Sequence, residues 1–286
     1  MAETILSYLW QAFSATLIQI LLLFGPGIIL TIVLNFETGF MQRRAVNAMG
    51  QGLYLGLFGW LGTTLHELGH AIFCIIFGHK ITDMKLFHPD PETGTLGYVK
   101  HSYNRTNIYQ LVGNFFIGIG PILLGTAVIY LASYWLLGLN FLNLGSNFTG
   151  AASQMNSWNG FGELFQNLWN SAVNMFAAIF SWQHVSSWQL YIFIYLVFAI
   201  GSSITLSPPD IKAALGGFAV IVILVFIINL ATFWAGNFIT DAAINVAGYG
   251  VLFYTIIFLI ALTNIAVGLI VILPLSLLKG SNSKTA

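Results

Sequence analysis

Charge is what this 286-residue chain has least of: Lys, Arg, Asp and Glu together make up 6% of it, against 57% apolar residues. A soluble globular chain carries about a quarter charged residues, so this one cannot cover a water-facing surface. The formal net charge is +0, which leaves no basic patch for nucleic acid and no acidic tail. There is one cysteine, Cys74, so an intrachain disulfide is excluded. Cys74 lies four residues past His70 and reads as a small apolar helix residue rather than a metal ligand. The first apolar segment has neither a basic leader nor a small-residue cleavage site, so it reads as a retained span. No internal repeat and no separate soluble domain stands out.

What is present is long apolar runs. A helix needs about 20 residues to cross the hydrocarbon core of a bilayer, and on that measure the chain divides into six spans. They cover about 12–36, 50–78, 108–139, 188–206, 211–235 and 244–278. The first contains Gly25-Pro26-Gly27, which is expected to kink it; the third contains Gly118-Ile119-Gly120-Pro121. The expectation is an all-α integral membrane protein folded as a single polytopic domain. Two connections are long. Residues 79–106 hold two short extended runs, 81–87 and 96–99, around a turn cluster at 88–94, and predict a β-hairpin at the membrane surface. Residues 140–187 hold one charged residue, Glu163, and an apolar series at helical spacing (Phe161, Leu164, Phe165, Leu168, Trp169, Val173, Phe176), which predicts an amphipathic helix lying in the interface. Asn104-Arg105-Thr106 and Asn147-Phe148-Thr149 match the glycosylation acceptor pattern.

Against this apolar background residues 66–70 read His66-Glu67-Leu68-Gly69-His70. Positions four apart share one helix face, so both imidazoles can reach one Zn²⁺, and Glu67 beside them can act on a water as general base. With His and Glu this scarce, the pattern arises by chance somewhere in the chain with odds of roughly 0.002. A third ligand must come from elsewhere. Asp210 is the acid lying closest against long apolar segments, just after Pro208-Pro209, where the backbone must break. Its other reading is a carboxylate at a helix N-terminus. Asn114, inside the third span, either lines the cleft or makes a helix–helix hydrogen bond. His79, His88, His101 and His184 fall in connections and read as interfacial polar residues. Gly52, Gly56, Gly59, Gly62 and Gly69 are expected to permit close packing of the metal helix.

The His-Glu-x-x-His of an early span, the hairpin-like segment after it, Gly-x-Gly-Pro in the next span and a Pro-rich break followed by Asp together resemble the site-2 protease family of intramembrane zinc metalloproteases. The resemblance covers about residues 50–217, with spans 12–36 and 244–278 as additional helices. It implies one zinc ion held by His66, His70 and Asp210, Glu67 as catalytic base, and a membrane-protein substrate, single-span, cut in or near its transmembrane segment. That family usually carries Asn about eight residues before the ligand Asp and Gly directly after it. Here Ser202 and Ser203 occupy the first position and Ile211 the second, so Ser202 is the candidate to hold a substrate backbone. The alternative reading is a zinc-binding membrane receptor, chaperone or transporter without turnover; an intact Glu67 weighs against it, since a structural site needs no base.

Lys and Arg set the expected orientation. Residues 79–106 carry Lys80, Lys85, Lys100 and Arg105, and placing them in the cytoplasm also puts Lys212, Lys279 and Lys284 there. Both termini then lie inside, with the active site nearer the cytoplasmic face. Arg43 and Arg44 violate this arrangement unless the Gly-Pro-Gly segment is re-entrant.

Overall fold

The computed structural model describes residues 2–90, 92, 94–141, 158–232, 234, 236 and 238–274. Helices dominate it. α1 (Ala2–Met49) ends at Gly50, whose φ of 89° reverses the chain. α2 begins with a turn at Gln51–Tyr54, passes through a π-helical turn at Leu55–Gly59 and continues as Trp60–Ile76. Two antiparallel strands follow, β1 (Lys80–Lys85) and β2 (Tyr98–Ser102), with a register shift between Ile81 and Asp83. Then come α3 (Ile108–Leu137), α4 (Trp158–Ile179), a single turn at Trp182–Val185, α5 (Trp188–Gly201), α6 (Pro208–Thr232) and α7 (Phe238–Val267), which ends in a π-helical turn at Gly268–Ile272.

Four segments are long and apolar enough to cross a bilayer: Ile5–Met49, Ile108–Leu137, Pro208–Thr232 and Leu252–Ile272. Their large exposed side chains, such as Leu6, Ile29, Phe36, Trp135, Leu215 and Ile270, suit lipid contact and not water. α1 is one helix through Pro26, so the Gly-Pro-Gly segment is not re-entrant. Pro26 has no N–H for the Leu22 carbonyl four residues back, and at the next residue the Tyr254 hydroxyl of α7 donates to the Leu23 carbonyl. The expected fourth span is a 14-residue helix, about 21 Å long, because the backbone unwinds over residues 202–207 before α6.

Contact pairs fix the relative directions of the helices. Gln19 meets Thr240, Leu23 meets Tyr254 and Gly268 abuts Met41, so α1 and α7 run parallel. Tyr8 meets Leu230, Phe24 meets Phe218 and Asn35 meets Leu206, so α6 runs against α1. Tyr195 meets Leu57 while Gly62 abuts Ser203, so α5 runs with α2. α3 opposes both α2 (Gly69 on Pro121, Phe77 on Gly113) and α6 (Gly118 on Ala214, Phe115 on Gly217). α5 and α6 therefore follow one another in the same sense around a break. The start of α1 and the end of α7 lie at opposite ends of the bundle.

A buried apolar core joins α3 (Ile122, Ile129), α5 (Phe193, Val197, Ile200) and α7 (Ile256, Ile260), with Met175 and Ile179 of α4 against it. α4 turns this face inward while Trp169, Val173 and Phe176 are exposed, so the outward apolar stripe runs through part of the expected interfacial series. Phe161, Glu163, Leu164, Phe165 and Leu168 have side chains outside the described residues, as do Asn147-Phe148-Thr149, Lys279 and Lys284. Asn104 serves as a turn residue, its side-chain oxygen accepting from the Thr106 backbone and hydroxyl.

Candidate metal centre

The metal motif lies on α2 and depends on glycine to approach its neighbours. A Cβ on Gly69 would sit 2.7 Å from the Pro121 backbone, one on Gly120 would meet the Gly69 carbonyl at 2.7 Å, and one on Gly118 would meet the Asp210 carbonyl at 2.7 Å. One on Gly62 would collide with Ser203 and the Ala199 carbonyl. Small residues at these crossings let α2, α3, α5 and α6 approach backbone to backbone. Gly52 and Gly56 have nothing within 4 Å of a built Cβ, and the nearest atoms to one on the buried Gly59 belong to Leu55 of its own turn. Of the five glycines expected to serve packing, Gly62 and Gly69 meet neighbouring helices this way.

His66 and His70 present their Nε2 atoms to each other at 3.1 Å. The Asp210 carboxylate closes the triangle, with Oδ1 3.3 Å from His70 Nε2 and Oδ2 3.6 Å from His66 Nε2. Among the described residues this is the one group of three or more His, Cys, Asp or Glu side chains able to hold a metal ion. Donors about 2.05 Å from a tetrahedral ion stand about 3.3 Å apart. The three measured edges, 3.1, 3.3 and 3.6 Å, bracket that value.

The tautomers reinforce the fit. His66 Nδ1 lies 2.7 Å from the Ser203 carbonyl and His70 Nδ1 lies 2.7 Å from the Ile117 carbonyl. A carbonyl can only accept, so each Nδ1 carries a proton, and in the neutral imidazole each Nε2 is then the lone pair. With both imidazoles neutral, two lone pairs and a carboxylate converge on one point, an arrangement that either a bound cation or a proton on one Nε2 relieves. Backbone carbonyls on the far ring nitrogens are also how metal-binding histidines are oriented.

Both carbonyls are free for a local reason. Residue 121 would normally donate its N–H to the carbonyl of residue 117, but it is proline. Ser203 lies beyond the last turn of α5, where carbonyls lack helical partners. The Gly118-Ile119-Gly120-Pro121 run thus has three separate uses: Gly118 admits α6, Gly120 admits α2, and Pro121 releases a carbonyl for His70.

Asp210 sits in the first turn of α6. Ser207 donates to Asp210 Oδ2 from its backbone N–H at 2.9 Å and from its hydroxyl at 2.5 Å, and the Asp210 N–H returns a longer bond to the Ser207 hydroxyl at 3.4 Å. This is a capping box with Asp in the acidic position, and Pro208 takes the first helical position, where a missing N–H costs nothing. The two readings of Asp210 are therefore compatible: the cap holds the carboxylate that faces the histidines. Leu206, in the same break, donates its N–H to Asn35 of α1 at 3.1 Å.

Glu67 is buried beside the cluster, and its Cγ would lie 2.8 Å from a Cβ on Gly97, in the segment leading into β2. The two-stranded sheet thus reaches the edge of the site. Asn114 is buried, and its amide makes only long bonds to Gln110 and Leu111 in its own helix, at 3.5 and 3.4 Å. The Ser202 hydroxyl donates inside its own turn to Ala199, and it is the neighbouring Ser203 whose carbonyl touches a candidate ligand. Cys74 is buried outside the cluster. His79 and His101 pair through their Nδ1 atoms at 2.9 Å, and His79 Nε2–H donates to the Gln110 carbonyl at 2.9 Å. Burial holds both imidazoles below the usual histidine range, with each other's proximity adding to the effect on His101, so both are neutral near pH 7.

A cavity of about 430 Å³ opens beside the site, lined by Phe24, Ile28, Phe115, Ile119, Ile211 and Phe218 among other apolar side chains. No protein-family model, curated protein or solved structure matches this chain.

Proposed function

We propose that this protein is an intramembrane zinc metalloprotease of the site-2 protease type, which hydrolyses a peptide bond in or near a transmembrane segment of a membrane-protein substrate. The observation that carries the reading is the convergence of two Nε2 lone pairs and one carboxylate at tetrahedral edge lengths, with both far ring nitrogens held by carbonyls. His66, His70 and Asp210 would hold the ion, which when bound supplies Lewis acidity toward a carbonyl and a water. Glu67 takes a proton from the attacking water and delivers it to the amine nitrogen as the C–N bond breaks. Burial of Glu67 against Gly97 keeps that carboxylate at one place beside the ligands. The apolar cavity next to Ile211 suits an apolar substrate segment, and the edges of β1 and β2 offer backbone groups to an unwound substrate strand.

The relative helix directions favour five crossings, with α5 and α6 as the two halves of one broken span and Asp210 at its break. Irregular backbone at membrane depth is tolerated where it lines a site. The β1–β2 region, with Lys80, Lys85, Lys100 and Arg105, lies at the end of the bundle where α1 begins, and Arg43 and Arg44 lie at the opposite end with the end of α7, so basic residues flank both faces and do not select the cytoplasmic one. α4 lies at the interface away from the sheet.

The test is zinc content and cleavage measured together. Detergent-purified protein should carry one zinc, lost in His66→Ala and Asp210→Ala, while Glu67→Gln should keep zinc and lose cleavage of a model single-span substrate. Zinc retained without cleavage by any form would support a binding protein instead, and absence of zinc from the native protein would remove the reading.

A further inference from the structure

A second polar cluster lies buried away from the metal centre. Glu37 and Thr38 of α1 and Asn264 of α7 stand in helices whose parallel register is fixed on both sides. Leu23 meets Tyr254 and Met41 meets Gly268, offsets of 231 and 227 residues, which puts Glu37 level with Asn264. The Glu37 carboxylate faces the Asn264 carboxamide. Yet both Glu37 carboxylate oxygens, the Thr38 hydroxyl and both polar atoms of the Asn264 amide are buried without a hydrogen-bond partner. Thr38 and Asn264 are each 1% exposed. The contact between Glu37 and Asn264 falls short of a well-formed hydrogen bond, and polar atoms left so at one level of an apolar bundle are costly unless something satisfies them; an ionisable group inside a membrane is by default a functional candidate.

We propose that Glu37, Thr38 and Asn264 form a binding site for a hard monovalent cation, with Na⁺ as the ligand. The donor atoms able to face an ion are all oxygens: two from the carboxylate, one hydroxyl and one amide carbonyl. Such a set selects alkali and alkaline-earth ions over the softer metals that imidazole attracts. The site has one negative charge, so a monovalent ion leaves it neutral, while a divalent ion would leave a net positive charge in low dielectric, which is costly to bury. The Asn264 N–H₂ is then free to donate to the second carboxylate oxygen. The Asn264 amide lies against Gly201 of α5, where the absence of a side chain leaves it room: a Cβ there would sit 3.1 Å from Asn264 Nδ2 and 3.2 Å from Oδ1. This glycine is two residues from Ser203, whose carbonyl holds His66, so the cation site and the metal centre share the end of α5.

The test uses the full chain, zinc-loaded and purified in detergent, with NaCl titrated against N-methylglucamine chloride at constant ionic strength. The expected result is a saturable rise in Tm with Na⁺, roughly 3 °C at ten times the dissociation constant, absent in Glu37→Gln. Direct binding of radioactive Na⁺ should saturate at one ion per chain, lose affinity at least tenfold in Asn264→Ala and Thr38→Val, and be displaced by unlabelled Na⁺. These two variants keep the test open if Glu37→Gln does not fold. Absence of saturable Na⁺ binding to the native protein overturns the proposal. So does an equal Tm response to every cation, or a Tm that follows pH through Glu37 but ignores Na⁺.

Discussion

Replacing Pro121 by alanine should move stability and metal affinity in opposite directions. The Ile117 carbonyl has no helical donor because residue 121 lacks an N–H, and it accepts from His70 Nδ1 at 2.7 Å instead. Alanine restores that N–H four residues on, directly competing for the same oxygen. In a helix interior proline is about 3 kcal/mol less favourable than alanine, so the metal-free protein should melt at a higher temperature. The partner that orients a ligating histidine is typically worth 10–100-fold in metal affinity, which is about 1.4–2.7 kcal/mol. Zinc affinity, measured by competition with a chromophoric chelator, should therefore fall at least about tenfold while the metal-free Tm rises. An unchanged affinity would refute the reasoning, because the carbonyl would then be serving both donors and the proline would not be what releases it.

Adjacent glycines in α6 offer a controlled packing test. A Cβ on Gly217 collides with the Phe115 backbone, whereas one on Gly216 meets nothing within 4 Å. Gly217→Ala should cost about 1–3 kcal/mol or more, and Gly216→Ala should be neutral or stabilising by about 0.5–1 kcal/mol; equal Tm values for the pair would contradict the α3–α6 contact. Ser207→Ala removes the hydroxyl donor to Asp210 Oδ2 and leaves the backbone N–H in place, so it should lower zinc affinity about tenfold and cost about 1 kcal/mol of cap; zinc titration and thermal unfolding of the same sample check both. The His79–His101 pair makes the base of the sheet acid-sensitive. Both imidazoles sit below their unfolded value of 6.5, so the unfolded state binds more protons as pH falls below 6.5, and their contribution to stability, full above that value, is lost on acidification. Amide protection factors in β1 and β2, taken relative to the base-catalysed intrinsic exchange rate, should fall between pH 7.5 and 5.5, and His79→Gln should flatten that dependence; protection that ignores pH would count against the pairing.

Much of the candidate site was legible before any fold was known, because metal chemistry is written in side chains. His66, Glu67 and His70 sit together in sequence, and Asp210 stands out as an acid behind two prolines in an apolar chain. The two-stranded sheet was legible too, since turn chemistry and short extended runs are local. Ser203 shows what such reading does not reach: it touches a candidate ligand through its backbone carbonyl, which every residue has. Glu37 was passed over because a lone acid in an apolar run says nothing about what faces it, and Asn264 lies 227 residues away in sequence.

Composition and pattern determined that this chain belongs to the apolar helical class and that it carries a His-Glu-x-x-His run on one helix, because both follow from residue identities that act independently of the rest of the fold. Tertiary structure alone decided which glycines are contact points, which carbonyls orient the histidines and that α5 and α6 run in one sense around a break. It also decided that α1 and α7 run parallel. These depend on which backbones meet, and a charge count along the chain carries no information about that: α1 and α7 are bound by apolar packing and buried polar groups, not by the sparse Lys and Arg that mark the ends of spans.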